Sequence, residues 1–348
     1  MSERIKYIDA LRGLAMLMVV MVHVEGFSVF VEEFHMSLFR RLCEALMLPL
    51  FFFISGFLAR PCSENKLFKK SMQLLIPACV WGILYTFHIH KDITSFFLNV
   101  YKFGYWFTIT LLEMLVVLSV ISKCIRGNRA LAGTILLVAT LLYLAKVPFN
   151  QIAELKIIAD ASCLHQLFIY FHFFAVGYIL ANNKNIYNKL LDSEVIIVCS
   201  ICVFCCALYI KYTYTDEQLA ANSILRLYRA LQDPILGYSG IAILLRFFKR
   251  RQIFIAESLL GKTLQYTGRH TLDIYLLHYF FLPKLPALGL TLMKSNNIIV
   301  EIALVALMST LVISCSLLLS KIIKTNSIAG YVLLGSKVKS TRKTQIYA

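Results

Sequence analysis

The chain is poor in acidic residues and has no polar stretch long enough to fold on its own. It carries 19 Asp and Glu against 35 Lys and Arg. The loops between its apolar runs are all shorter than the roughly 50 residues of a small independent domain. A separate soluble domain is therefore excluded, and one domain over 1–348 is expected, with a short tail at 321–348. No internal repeat or low-complexity segment is present. The first apolar run ends in His23, Val24 and Glu25 and not in a small-residue cleavage site, so no cleaved export signal is expected. Ten cysteines offer no disulfide framework. Cys199, Cys202, Cys205 and Cys206 in "CSICVFCC" share part of a helix, but no His or carboxylate lies among them. They read as small apolar packing residues, and no metal is expected.

What the chain has in abundance is apolar surface. Of its 348 residues 59% are hydrophobic, and the mean hydropathy is +0.72. Long apolar runs recur to the end, the pattern of an all-α polytopic membrane bundle. Ten spans are expected, at 10–30, 43–59, 72–90, 105–122, 130–146, 165–181, 194–211, 227–247, 271–290 and 298–320. Pro283 and Pro286 interrupt the ninth. Counting residues at span ends with the nearer loop, the N-terminus, alternate loops and tail hold 23 Lys and Arg and the opposite loops 11. The rich set includes "RFFKRRQ" (246–252) and "KVKSTRKTQ" (337–345). By the positive-inside rule both termini are cytoplasmic, in a multi-pass protein of the cell membrane. The net charge of +16 is then an orientation signal, and no nucleic acid partner is expected.

The first span carries Asp9, Arg12, His23 and Glu25, and ionisable groups in hydrocarbon persist where they pair or serve a function. Eleven helical steps from Arg12 to His23 make about 1100°, only some 20° past three turns, so the two share a face about 16 Å apart. Asp9 falls on the same stripe, three residues before Arg12, and Glu25 points away. This spacing suits a long ligand with an anionic end at Arg12 and a reactive end at His23. Coenzyme A has that form. A guanidinium forks onto phosphate, and an imidazole can take a proton from a hydroxyl near neutral pH. The alternative is an orientation-setting arginine and a histidine hydrogen-bonded between helices.

"YIDALRGLAMLMVVMVH" (7–23), with its Arg, ten residues, His spacing, resembles the opening of the acyltransferase-3 family of integral membrane acyltransferases. Other stretches resemble that family in the same order. They are "LPLFFFISGFL" (48–58), "GYWFTITLLEM" (104–114), "FFAVGYIL" (173–180), "LQYTGRHTLDIYLLH" (264–278) and "KIIKTNSIAGYVLLG" (321–335). The resemblance implies transfer of an acyl group, usually acetyl from acetyl-CoA, to hydroxyls of polysaccharides or related acceptors. The "GYWF" start is similar to the sugar O-acetyltransferase branch. The implied partners are an acyl-CoA co-substrate, a glycan or lipid-linked sugar acceptor, and membrane lipids, with no permanently bound cofactor. In one place the chain departs from the family. Where relatives show two arginines three apart, "NKLFKKSMQLLIP" has Lys69, Lys70 and Gln73. These lysines either attract the donor's phosphates as point charges or are a positive-inside cluster.

Depth along the spans suggests further roles. Glu113 comes out near the depth of His23 and either orients that ring, as a carboxylate does behind a catalytic imidazole, or pairs with another helix. Ser55 lines the donor path or allows close helix approach. Tyr275 and His278 share a face with Thr271; counted from 271, His278 falls in the inner third, away from His23, with a donor-side or structural role. Trp106, Asp233 and Arg229, with Arg226 nearby, are candidates for the acceptor side. His88, His90 and His172 read as interfacial or packing histidines. His23 as general base, Arg12 on the donor and a direct or two-step transfer make the enzyme reading. A transporter or flippase is the competing one, since buried charge and broken spans also fit a translocation path.

Overall fold

The computed structural model describes residues 5–30, 37–214, 218, 223–295 and 297–337, so most of the basic stretch at 337–345 lies outside the described residues. Among the described residues all regular structure is helical. Helix α1 (Lys6–Val24) runs into a π-helical turn at Glu25–Val29, followed by α2 (Leu38–Leu58) and α3 (Glu64–His88). The short α4 (Ile93–Leu98) precedes α5 (Trp106–Cys124), α6 (Asn128–Gln151), α7 (Ala153–Ser162) and α8 (Leu164–Asn182). Then come α9 (Lys184–Asp192), α10 (Glu194–Thr213), α11 (Ser223–Arg250), α12 (Gln252–Glu257) and α13 (Leu259–Arg269). The chain closes with α14 (Thr271–Leu277), a 3-10 turn at His278–Phe281, α15 (Pro286–Ser295), α16 (Ile298–Ile323) and α17 (Ser327–Leu334).

Among the described residues eight helices are long and apolar enough to cross a membrane: α1 with its π turn, α2, α3, α5, α6 up to Phe149, α8, α10 and α16. The protein is an all-α, multi-pass membrane bundle. The expected eighth span is the helix α11, but Arg226, Arg229 and Asp233 near one end and Arg246, Lys249 and Arg250 at the other shorten its apolar stretch. The expected ninth span is not one helix. Thr271–Phe281 and Pro286–Ser295 meet at 96°. Pro283 and Pro286 lack the N–H that a continuing helix needs, and the freed backbone is satisfied elsewhere: Leu285 N–H donates to Ser28 O at 2.7 Å.

Helix α1 is the hub. In its apolar window 72% of residues are buried inside the protein, against 11% in α6. It packs on α2, α13, α14 and α16. Glycine makes the closest approaches possible. A Cβ at Gly13 would strike the Leu264 carbonyl, and one at Gly268 the Asp9 carbonyl, so α1 and α13 touch backbone to backbone. The same device joins α2 to α8, where Gly56 lies on Phe174 O and Gly177 on Phe53 O. Polar contacts join the start of α1 to one loop and link alternate loops to one another. Tyr7 and Tyr187 share a hydrogen bond of 2.9 Å, Lys123 pairs with Glu64, and Arg246 pairs with Glu194. Cys199, Cys202, Cys205 and Cys206 are exposed on α10.

Candidate active site

The stripe read on α1 faces a cavity of about 340 Å³ between α1, α2, α5 and α14. Arg12, Met16, Val19 and His23 line it from α1, Met47, Phe51 and Ser55 from α2, and Trp106 and Phe107 from α5. Thr271, Tyr275 and Tyr279 close the remaining side. Most of the wall is apolar, and Arg12 and His23 stand towards its two ends. At one end Arg12 Nη2 donates to Thr271 Oγ1 at 2.9 Å. At the other, His23 Nδ1 lies 2.9 Å from His278 Nε2, and the Tyr279 hydroxyl lies 3.3 Å from His23 Nε2. The π turn begins two residues past His23, at Glu25. Such turns are frequent at functional sites because they shift the helix face by part of a turn.

The far wall is set by the turn between α4 and α5. Lys102, Phe103 and Gly104 take φ of 45°, 50° and 101°, three successive left-handed residues. Backbone held there by its surroundings is typical of functional walls. Lys102, 2% exposed, ties the turn down: its ammonium donates to the carbonyls of Phe97, Asn99 and Asp160, each at 2.8 Å. Burial pulls this ammonium below its ordinary pKa, opposed by the negative charge available at Cys163, Asp160 and Glu113. The turn meets α14 directly. Tyr275 Oη donates to Gly104 O at 2.8 Å and accepts from Phe107 N–H at 3.1 Å, and Tyr105 Oη donates to Leu276 O at 3.0 Å. Helix α14 is held from behind through buried Asp273, which accepts from Ser320 at 2.8 Å and pairs with Lys324 and His270.

Three expectations are overturned. Glu113 makes no contact with His23; its carboxylate lies near Lys102, and one oxygen is buried without a hydrogen bond. His278 is not remote from His23 but its hydrogen-bond partner. The depth count failed because it took residue 271 as the membrane edge, whereas Thr271 already stands beside Arg12, inside the bundle. Asp233 and Arg229 do not line the cavity. The Asp233 side chain is 72% exposed and pairs with Lys211 at 2.8 Å. Trp106, Ser55 and Tyr275 do line it. Asp9 is buried but outside the cavity wall. Lys69 is exposed and Lys70 half-buried, with Lys70 one helical turn before the lining residue Leu74. His172 packs on Tyr238, with 2.9 Å between Nδ1 and Oη, and His88 lies against Phe280.

Tyr279 and Gly104 were missed. The run "HYFFLP" carries the signal for the first, since the prolines stop the helix and leave the residue after His278 on a 3-10 turn. Gly104 has no local signal, because its partner Tyr279 lies far along the chain.

This cavity is built from the helices that carry the ordered motifs, and a family comparison agrees with them. A model of the acyltransferase-3 family, described as an acyltransferase domain, matches residues 5–321. The chain belongs to the acyltransferase-3 family. No curated protein and no solved structure matches it. The molecule is thus a membrane acyltransferase, and Arg12 and His23 are among the polar side chains that line this cavity.

Proposed function

We propose that this acyltransferase moves an acyl group, most simply acetyl, from acyl-CoA to a hydroxyl of a cell-surface glycan or its lipid-linked precursor. The carrying observation is that Arg12 and His23 open into one cavity from one helix face, about 16 Å apart along its axis. A volume of about 340 Å³ is at the small end for ligand sites. It suits the slender pantetheine arm and a short acyl group, with the nucleotide left at the Arg12 mouth. Arg12 and, as point charges, Lys69 and Lys70 attract the phosphates there. Asp9 steadies that end of the helix, and Ser55 and Tyr275 flank the arm.

His23 Nε2 acts on the acceptor. It takes the proton of the hydroxyl as the oxygen attacks the thioester carbonyl. The C–O bond forms, the C–S bond breaks, and the departing thiolate recovers the proton from His23. Trp106 supplies an aromatic wall on which a sugar ring can stack. The enzyme resides in the cell membrane with both termini in the cytoplasm, where acyl-CoA is found.

The test uses washed membranes with wild type, His23→Ala or Arg12→Ala at matched levels, given radiolabelled acetyl-CoA and total cell-envelope glycan. Wild type should label the glycan. His23→Ala should lose about 10²–10⁴-fold, the usual worth of a general base. Arg12→Ala should act chiefly on donor KM. Labelling that both variants retain would remove this cavity from the reaction.

A further inference from the structure

We propose that His278 is a positioning residue that holds His23 in the tautomer with Nε2 bare and shares its charge during transfer. The proposal rests on the transferase reading above. His278 Nδ1 lies 3.0 Å from Ile274 O and 2.9 Å from Tyr275 O. Carbonyl oxygens only accept, so Nδ1 of His278 carries the hydrogen. A neutral imidazole then has only a lone pair at Nε2. That lone pair sits 2.9 Å from His23 Nδ1, where a second lone pair would repel it. His23 therefore donates from Nδ1, and its Nε2 is left without hydrogen. That nitrogen is the one beside the Tyr279 hydroxyl, on the residue that lines the cavity. Two backbone carbonyls thus set, through two rings, which nitrogen of His23 can act as a base.

The same chain answers the charge that transfer creates. When Nε2 takes the acceptor's proton, His23 becomes an imidazolium and its Nδ1–H bond to His278 becomes charge-assisted. The Nδ1 proton can pass to His278 Nε2, placing the charge on a ring whose other N–H faces two carbonyls. As the thiolate leaves it takes the proton on His23 Nε2, and the shared proton returns from His278 Nε2 to His23 Nδ1. A carboxylate commonly occupies this orienting position. Here His278, 0% exposed, occupies it, and Glu113 makes no hydrogen bond to either ring. Position follows from the broken span: α14 ends at Leu277 and His278 opens a 3-10 turn, which aims the ring at α1.

Two variants test this. His278→Leu removes the acceptor, and His278→Gln keeps an acceptor oxygen near the place of Nε2. Both are purified in lipid nanodiscs with ¹⁵N-labelled histidine, and their thermal midpoints are compared with wild type. The His23 signals, identified by their absence in His23→Phe, should show a bare Nε2 in wild type and His278→Gln and a protonated Nε2 in His278→Leu. With acetyl-CoA and envelope glycan, His278→Leu should lose kcat by roughly 10²-fold, of the order of a general base's contribution, at unchanged donor KM. His278→Gln should recover most of it. A protonated Nε2 in wild type overturns the proposal, as does full turnover by His278→Leu or a His278→Gln no faster than His278→Leu. The spectrum needs no substrate, so failure of the tautomer is distinct from failure of wild type to transfer label.

Discussion

On the proposed transferase reading, Arg12 and His23 should respond differently to substitution, because one would meet charge already present in the ground state and the other a proton that moves. Arg12→Lys keeps the charge but loses the fork and the bond to Thr271 Oγ1 at 2.9 Å. Losing a charge-assisted bond costs about 1.5–3 kcal/mol, so donor KM should rise about ten- to a hundredfold with kcat nearly unchanged. A kcat loss as large as that of His23→Ala would move Arg12 from binding to chemistry. Glu113→Gln should leave turnover intact in the same assay, since that carboxylate faces Lys102 and not His23. At Gly104, φ is 101° and an added Cβ would strike the Tyr279 hydroxyl. Gly104→Ala should therefore lower kcat by displacing the ring beside His23, with Tyr279→Phe relieving little of the backbone strain.

Among the helices, close approach is the organising device. Gly56 and Gly177 each lie on a carbonyl of the opposing helix, so the α2–α8 contact tolerates no side chain from either. Gly56→Val should destabilise the protein by overpacking, at about 1–3 kcal/mol, visible as a lower midpoint in thermal size-exclusion measurements. Gly133 on α6 has nothing within 4 Å of an added Cβ, so Gly133→Ala should leave the midpoint unchanged or raise it. If both variants melted alike, helix approach would not be the cause. At the C-terminal end, Trp81 Nε1 donates to Leu333 O at 2.6 Å, and Gly335, at φ 61°, ends α17 against Gln73 O. The motif ending in Gly335 is thus a clasp between α17 and α3.

For the whole molecule, Tyr7–Tyr187, Lys123–Glu64 and Arg246–Glu194 join the start of α1 and alternate loops, as an alternating membrane topology requires. With the excess of Lys and Arg on that side, both termini should be cytoplasmic. A C-terminal fluorescent-protein fusion should glow and an alkaline phosphatase fusion at the same point should be inactive. The reverse pattern would invert the bundle and put Arg12 at the outer face, away from acyl-CoA.

The membrane class, the helical bundle and the Arg12–His23 stripe were all legible in the chain. Each depends on local periodicity: an apolar run long enough to span, and eleven steps that return to one helix face. The family was legible for the same reason, through short motifs in order. The proximity of His278, the distance of Glu113 from His23, the exposure of Asp233 and the approach of Gly104 to Tyr279 were not legible. Depth counting assumes that each span starts at the membrane edge and runs straight, and the chain from α13 to α15 does neither. It enters beside Arg12, breaks at Pro283 and Pro286, and turns by 96°. Which helices cross the membrane is written in the solvation of single segments. Which nitrogen of His23 meets His278 was decided by packing between segments some 250 residues apart.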